Sequence, residues 1–264
     1  MFEFLFDYPL WIAGLVIIGS LCVFALAGLL LVRRLLLPRL RIRVEDSEFI
    51  GTLVQAVMVF YGLAVALIAV SVWQTYSDVS KSISDEATTL AALYRDVSCF
   101  PEPVRSHLQG ELSEYTRYII HQAWPIQSRG QVPTGGVQRM NVFQQTMVAL
   151  EPVTESQKIV FAEAYRAYNV MIIARRMRLD AVATKLPGML WSVVIVGAFI
   201  GLSTTFFFKV EDVRLHSIQV SLLATFMGLV IFMIFALDRP FRGDLGLSPQ
   251  PYQLVYDQLM KPAR

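Results

Sequence analysis

Charge is missing from four long stretches of this 264-residue chain. Residues 9–32, 49–73, 187–208 and 217–237 contain no Lys, Arg, Asp, Glu or His. Proton-coupled transporters and voltage sensors carry ionisable groups inside their membrane helices, so the absence argues against both classes. Histidine is scarce. His107, His121 and His216 are scattered, and no cysteine or paired carboxylate joins them. A metal site needs three or four converging ligands, so none is expected. Cys22 falls in the first apolar stretch and Cys99 in the polar middle. An internal disulfide is therefore not expected, and the redox compartment stays open. No glycine-rich phosphate loop occurs, and Gly135-Gly136 reads as a turn. No GxSxG or Ser/His/Asp spacing suggests a nucleophile. The chain does not read as an enzyme, and no cofactor is implied. A net charge of +2 points to neither nucleic acid nor an acidic partner. The first ten residues hold Glu3 and Asp7 and no Lys or Arg, which is not the start of a secretory signal peptide. Strand signals, internal repeats and low-complexity tracts are all lacking.

What remains is apolar and helical. Hydrophobic residues make up 55% of the chain, more than a soluble domain with a charged surface carries. Each uncharged stretch is long enough to cross a ~30 Å hydrocarbon core as a helix. In lipid a helix satisfies its own backbone, so four helical spans are expected. The fold class is all-α: a polytopic membrane protein with four transmembrane helices and a helical extramembrane bundle inserted between helices 2 and 3. The expected division is 1–73 for the first two spans and a basic loop, 74–186 for the insertion, 187–237 for the last two spans, and 238–264 for the tail.

The arginines suggest an orientation. Arg33, Arg34, Arg39, Arg41 and Arg43 follow the first span, and Lys209 and Arg214 lie in the second short loop. Basic residues in short loops stay in the cytoplasm. Both termini and residues 74–186 are then placed on the extracytoplasmic side of the plasma (inner) membrane. Arg175, Arg176, Arg178, Lys185, Arg239 and Arg242 give a weaker signal in the opposite sense.

The polar middle reads as helix throughout. No proline lies between Pro38 and Pro101. Val79, Ile83, Ala87, Leu90, Tyr94 and Val97 continue the apolar stripe beyond Trp73 at helical spacing. The second span is thus expected to run on as one rod to about residue 98, some 75 Å long at 1.5 Å per residue. A helix over 102–123 is expected to stop at Trp124-Pro125. Residues 128–136 make the best loop, and 137–150 a further helix. A last helix, with Thr154 as N-cap, is expected to reach about Lys185. Leu186-Pro187 marks a kink or stop.

Small residues recur in the spans: Gly197 and Gly201 in the third, Ala224 and Gly228 in the fourth, Gly51, Gly62, Ala66 and Ala69 in the second. They serve either close packing within one chain or a subunit interface or narrow pore. Gln55 is expected to hydrogen-bond a neighbouring helix. The tail reads Asp238-Arg239-Pro240-Phe241-Arg242-Gly243-Asp244-Leu245. Pro240 stops the fourth helix, Gly243 and Gly246 allow turns, and Ser248-Pro249 can start a final helix through Tyr252, Val255, Tyr256 and Leu259. Asp238, Arg239, Arg242 and Asp244 form either an ion-pair knot at the helix end or an arginine cluster facing an anion or lipid headgroup.

This tail resembles the bestrophin-like domain family. Trp73 closing the second span, Glu86 through Leu93-Tyr94-Arg95, Arg175-Arg176-x-Arg178-Leu179 and Leu215-His216 fit the same pattern, which covers nearly the whole chain. Kinship with bestrophins implies an oligomeric anion channel whose second span lines the pore. On that resemblance the pore-lining candidates are Gly62, Val65, Ala66 and Ala69, with Arg175, Arg176 and Arg178 as a basic vestibule. The resemblance also implies a cytoplasmic helical domain, opposite to the arginine count. The implied partners are membrane lipid, further copies of the chain or partner membrane proteins, and chloride or another small anion. The alternative is a non-conducting accessory or assembly subunit that presents its helical domain to partner proteins.

Overall fold

The computed structural model describes residues 5–6, 8–40, 44–208 and 210–261. Every regular element among them is helical: α1 Leu10–Leu31, α2 Val44–Val97, α3 Val104–Tyr118, α4 Trp124–Gln127, α5 Gly136–Val148, α6 Glu155–Ala181, α7 Gly188–Thr205, α8 Val213–Leu237 and α9 Gln250–Val255. Four helices are long and apolar enough to cross a membrane, and each overlaps one of the uncharged stretches. Length and apolar composition together make this an integral membrane protein.

Two compact units emerge, Met1–Thr75 with Lys185–Asp238 and Tyr76–Thr184 with Arg239–Arg264. In the first, α1 and α8 interlock along Ala13, Ile17, Leu21 and Ala25 against Val220, Ala224, Met227 and Ile231, all buried. Val65, Ile68 and Val72 of α2 join them, with Val194, Ala198 and Leu202 of α7. In the second, the stripe Val79, Ile83, Leu90, Leu93 and Val97 packs with Leu108, Leu112, Phe143, Met147 and Met171. The tail contributes Phe241, Tyr252 and Met260 to the same core.

Local chemistry explains the element ends, and three differ from expectation. The first helix does not stop at the arginines. It continues through a wider π-type turn, Val32–Leu36, into a short turn of helix, Leu37–Leu40. The wide turn directly precedes Pro38, which has no N–H to offer the carbonyl one turn back. The same device appears at Pro125. A π-type turn over Ile119–Ala123 lets the chain carry on into α4 instead of ending at Trp124. The third difference is α6, which stops at Ala181 rather than near Lys185. Its start is as expected: Thr154 accepts from the Gln157 N–H at 3.2 Å, and Gln157 accepts from the Thr154 N–H, a reciprocal cap. Such a cap is worth ~1 kcal/mol. The second helix runs unbroken over 54 residues.

The glycines of the third span meet side chains of the second. A Cβ on Gly197 would lie 2.3 Å from Tyr61 Cε2, and one on Gly201 would lie 2.6 Å from Met58 Sδ. The Tyr61 hydroxyl donates to the Val194 carbonyl at 2.8 Å across the same contact. These two glycines are therefore spent on packing within the chain. Gln55, by contrast, lies exposed rather than reaching a neighbouring helix. Filling the Gly197 groove should overpack it. Gly197→Val is expected to lower the thermal midpoint in detergent by the equivalent of ~1–3 kcal/mol. Gly62→Ala, whose added Cβ meets no atom within 4 Å, should not. An unchanged midpoint for Gly197→Val would show that Tyr61 does not pack there.

Candidate functional site

Among the described residues, one face of α2 is left uncovered. Only 17% of its most apolar window is buried, against 28%, 33% and 44% for the first, third and fourth spans. Gly62 and Ala66 lie on this exposed face, flanked by Phe60, Leu63 and Leu67. Ala69 is half-buried at its edge. Val65 is not on it. That side chain is 5% exposed and turned into the core with Ile68 and Val72. The four pore-lining candidates thus divide, two on the open face, one at its edge and one inside.

The three arginines of α6 also divide. Arg176 is exposed, with its guanidinium 3.8 Å from Asp180. Arg175 is half-buried and packs close to Gly136. Arg178 is sealed at 1% exposure. Its Nε donates to Glu86 Oε2 at 2.6 Å, and Nη2 donates to Oε1 at 3.2 Å. The Tyr115 hydroxyl donates to Oε1 at 3.2 Å, and the Tyr252 hydroxyl donates to Oε2 at 2.9 Å. Glu86, Tyr115 and Tyr252 are all at 0% exposure. Four donors from three segments therefore saturate the two carboxylate oxygens of a fourth. Burial by itself opposes the Arg178 charge, but the Glu86 carboxylate outweighs it and holds the guanidinium above its ordinary range. Burial first, and the Glu86 charge second, push both phenols well above theirs. The tyrosines thus stay protonated and keep donating. Such a cluster can fix helices.

Sequence reasoning placed Arg178 in an open vestibule and Tyr115 and Tyr252 on apolar faces. The missed signal was periodicity. Glu86 sits between Ile83 and Leu90 on the buried stripe of α2. Arg178 follows Tyr168, Met171 and Ala174 on that of α6. A lone charge of each sign on a core stripe asks for a partner.

The tail turns are held within the second unit by backbone hydrogen bonds and ring packing. Leu247 N–H donates to the Pro240 carbonyl at 2.8 Å, and Gly246 N–H to that of Gly243 at 3.0 Å. Gly243 has φ +74°, the left-handed region that favours glycine. The Trp124 indole N–H donates to the Leu247 carbonyl at 3.0 Å, and the Tyr76 hydroxyl to that of Leu245 at 2.9 Å. Phe241 is buried against the Trp124 ring, with centroids 5.7 Å apart. Asp238 belongs to the first unit. Its Oδ1 accepts from the Leu186 N–H at 2.5 Å, and its Oδ2 from the Trp191 indole at 3.3 Å, which pins the chain entering α7. Arg239, Arg242 and Asp244 lie in the turns between Asp238 and Gly246. Among the described residues no three His, Cys, Asp or Glu side chains converge as metal ligands.

The Glu86–Arg178 pair generates a quantitative expectation. Arg178→Met strands a buried carboxylate and should cost ~3–5 kcal/mol of stability. Glu86→Gln alone should also destabilise. The double variant Glu86→Gln/Arg178→Met should cost clearly less than the sum of the two, as measured by denaturation in detergent. Strict additivity would mean that the two groups do not interact.

The model of the Bestrophin-like domain family matches residues 19–252. No curated protein and no solved structure matches the chain.

Proposed function

The chain belongs to the Bestrophin-like domain family, and from that membership we propose that it is an oligomeric, anion-permeable channel whose second span lines the pore. The uncovered face of α2 carries this reading. Gly62 and Ala66 leave room along it, and 17% burial leaves most of the span for lipid, for other copies of the chain or for an axis between copies. Small side chains facing an axis give a narrow apolar constriction, the kind that gates by dewetting. Arg175 and Arg176 act as the basic mouth. The charge of Arg178 is balanced by Glu86, so its part is to hold α6 in place rather than to attract ions. Residues 74–186 form a helical extramembrane domain on the extracytoplasmic side of the plasma membrane, with both termini. That orientation rests on Arg33, Arg34, Arg39, Arg41 and Arg43.

A second reading is a non-conducting assembly subunit. It is favoured by Val170, Ile173 and Met177, an exposed apolar strip on α6 at helical spacing that suits a protein partner.

Reconstituted flux separates the two. Ala66→Trp should abolish chloride flux in liposomes while leaving oligomer size unchanged. Replacing Arg175 and Arg176 by Glu should reduce anion entry, and the reduction should shrink as rising salt shortens the Debye length below its ~8 Å at physiological strength. A wild-type protein with no flux for chloride or small cations under any gradient would favour the assembly subunit. Orientation is read from the exposed Cys99. In a Cys22→Ser background a membrane-impermeant maleimide should label Cys99 in intact cells. Labelling only after lysis would put the domain in the cytoplasm.

A further inference from the structure

A groove of about 470 Å³ runs between α2 and α6 in the second unit. Its α6 wall is Val170, Ile173 and Met177, which are 46%, 56% and 59% exposed. Its α2 wall carries Asp78, Lys81 and Asp85, all exposed. In the spans, lipid covers side chains such as these valines and leucines. An extramembrane unit has no such cover, and a contiguous apolar strip facing water is costly and marks a contact surface.

Charge of opposite sign lies on the two sides of this strip. On the α2 side, Asp78 and Asp85 form no ion pair among the described residues, and two carboxylates against one ammonium leave that wall acidic. On the other side stands Arg176. Ala174 lines the groove, and Arg176, two residues on, is rotated about 200° from it. It therefore flanks the strip away from α2. Its guanidinium lies 3.8 Å from Asp180, and both side chains are exposed. One turn before Val170, Arg166 pairs with Glu163 at 3.2 Å, again in solvent. Exposed pairs within one helix are worth little, so both arginines can turn to a better partner.

Such a surface is complementary to itself. Asp78 to Asp85 and Val170 to Met177 each cover seven positions, about 10 Å of helix. When two copies face one another about a two-fold axis parallel to α6, the strips meet along that length. The acidic edge of each copy then lies against the basic edge of the other. An axis at right angles to α6 would instead set acidic edge on acidic edge. We propose that the α2–α6 groove is an interface between two copies of the chain. The Val170, Ile173 and Met177 strips pack together there, and Asp78 and Asp85 of each copy meet its partner's Arg166 and Arg176. The pairing rests on the oligomeric part of the function proposed above and needs no conduction.

The full chain with Cys22 and Cys99 replaced by Ser tests this, both in native membranes and purified in detergent. Ile173→Cys, in the middle of the strip, should form a disulfide-linked product of twice the chain mass on oxidation with copper phenanthroline, read by non-reducing gel and mass spectrometry. Val142→Cys, exposed on α5 and outside the groove, should not. Light scattering of the purified chain measures the pairing itself. Asp78→Lys with Asp85→Lys should weaken it about tenfold or more, because like charges then face one another. Arg166→Glu with Arg176→Glu should do the same, and all four changes together should restore it. Should the charge variants fail to fold, the Ile173→Cys product decides the matter without them. A wild type that stays monomeric at every concentration overturns both the oligomer and this surface. A wild-type oligomer in which Ile173→Cys gives no product, or which both charge reversals leave intact, overturns this surface alone and leaves the oligomeric reading standing. A cross-linked product of any other mass in membranes assigns the strip to a different protein and overturns the pairing.

Discussion

A guanidinium keeps its charge even without access to water, so it must find a counter-charge, and in this protein it finds Glu86. Desolvating both ions is costly, and the attraction between them repays that only when the geometry is good and the remaining lone pairs are filled. Here the carboxylate meets both conditions, while the Arg178 Nη1 is buried without a hydrogen-bond partner among the described residues. The pair is bidentate, and Tyr115 and Tyr252 complete the carboxylate. The consequence is architectural. Residues 86, 115, 178 and 252 come from α2, α3, α6 and α9, so one carboxylate orders four helices. An apolar core of Leu90, Leu112, Phe143 and Met171 would accept many small shifts of helix against helix. A four-donor carboxylate accepts few. It fixes the register of the tail helix in particular, because Tyr252 meets Glu86 in one placement only.

The tail owes its conformation to that register. Between Asp238 and Tyr252 the chain makes turns rather than a long helix, and these are closed by backbone bonds at Pro240, Gly243 and Leu247. Trp124 and Tyr76 then hold the Leu247 and Leu245 carbonyls. The acidic end of the motif has a different task. Asp238 accepts two N–H bonds where α7 begins, at a place where backbone would otherwise be unpaired. A run of residues that looks like alternating charge is thus divided between a helix start and a folded turn.

Packing in the first unit follows another rule. Apolar side chains gain little by leaving lipid for one another, so close approach decides which helices associate. Gly197 and Gly201 let Tyr61 and Met58 press onto the third span, and the Tyr61 hydroxyl adds a hydrogen bond where water is absent. This commits one face of the second span to the chain's own core. The face bearing Gly62 and Ala66 stays open. The division between the two faces turns on single residues. Val65 is buried, while its neighbour Ala66 is exposed.

The sequence by itself determined the four spans, because twenty uncharged residues have one stable state in lipid. It determined the unbroken second helix, whose apolar stripe lacks proline, and the Thr154 cap, whose partners are three residues apart. It also determined the tail helix and the family, through a local run of residues around Asp238. The continuation through Pro38 and Pro125 was not legible, because a π-type turn is a backbone adjustment with no residue code of its own. Which faces of the spans are covered and where Arg178 finds its counter-charge were decided only by tertiary structure. Residues 86 and 178 are 92 positions apart, and periodicity says that each points inward without saying toward what. Long-range partners are fixed when helices pack, and no pattern along a single helix carries that information.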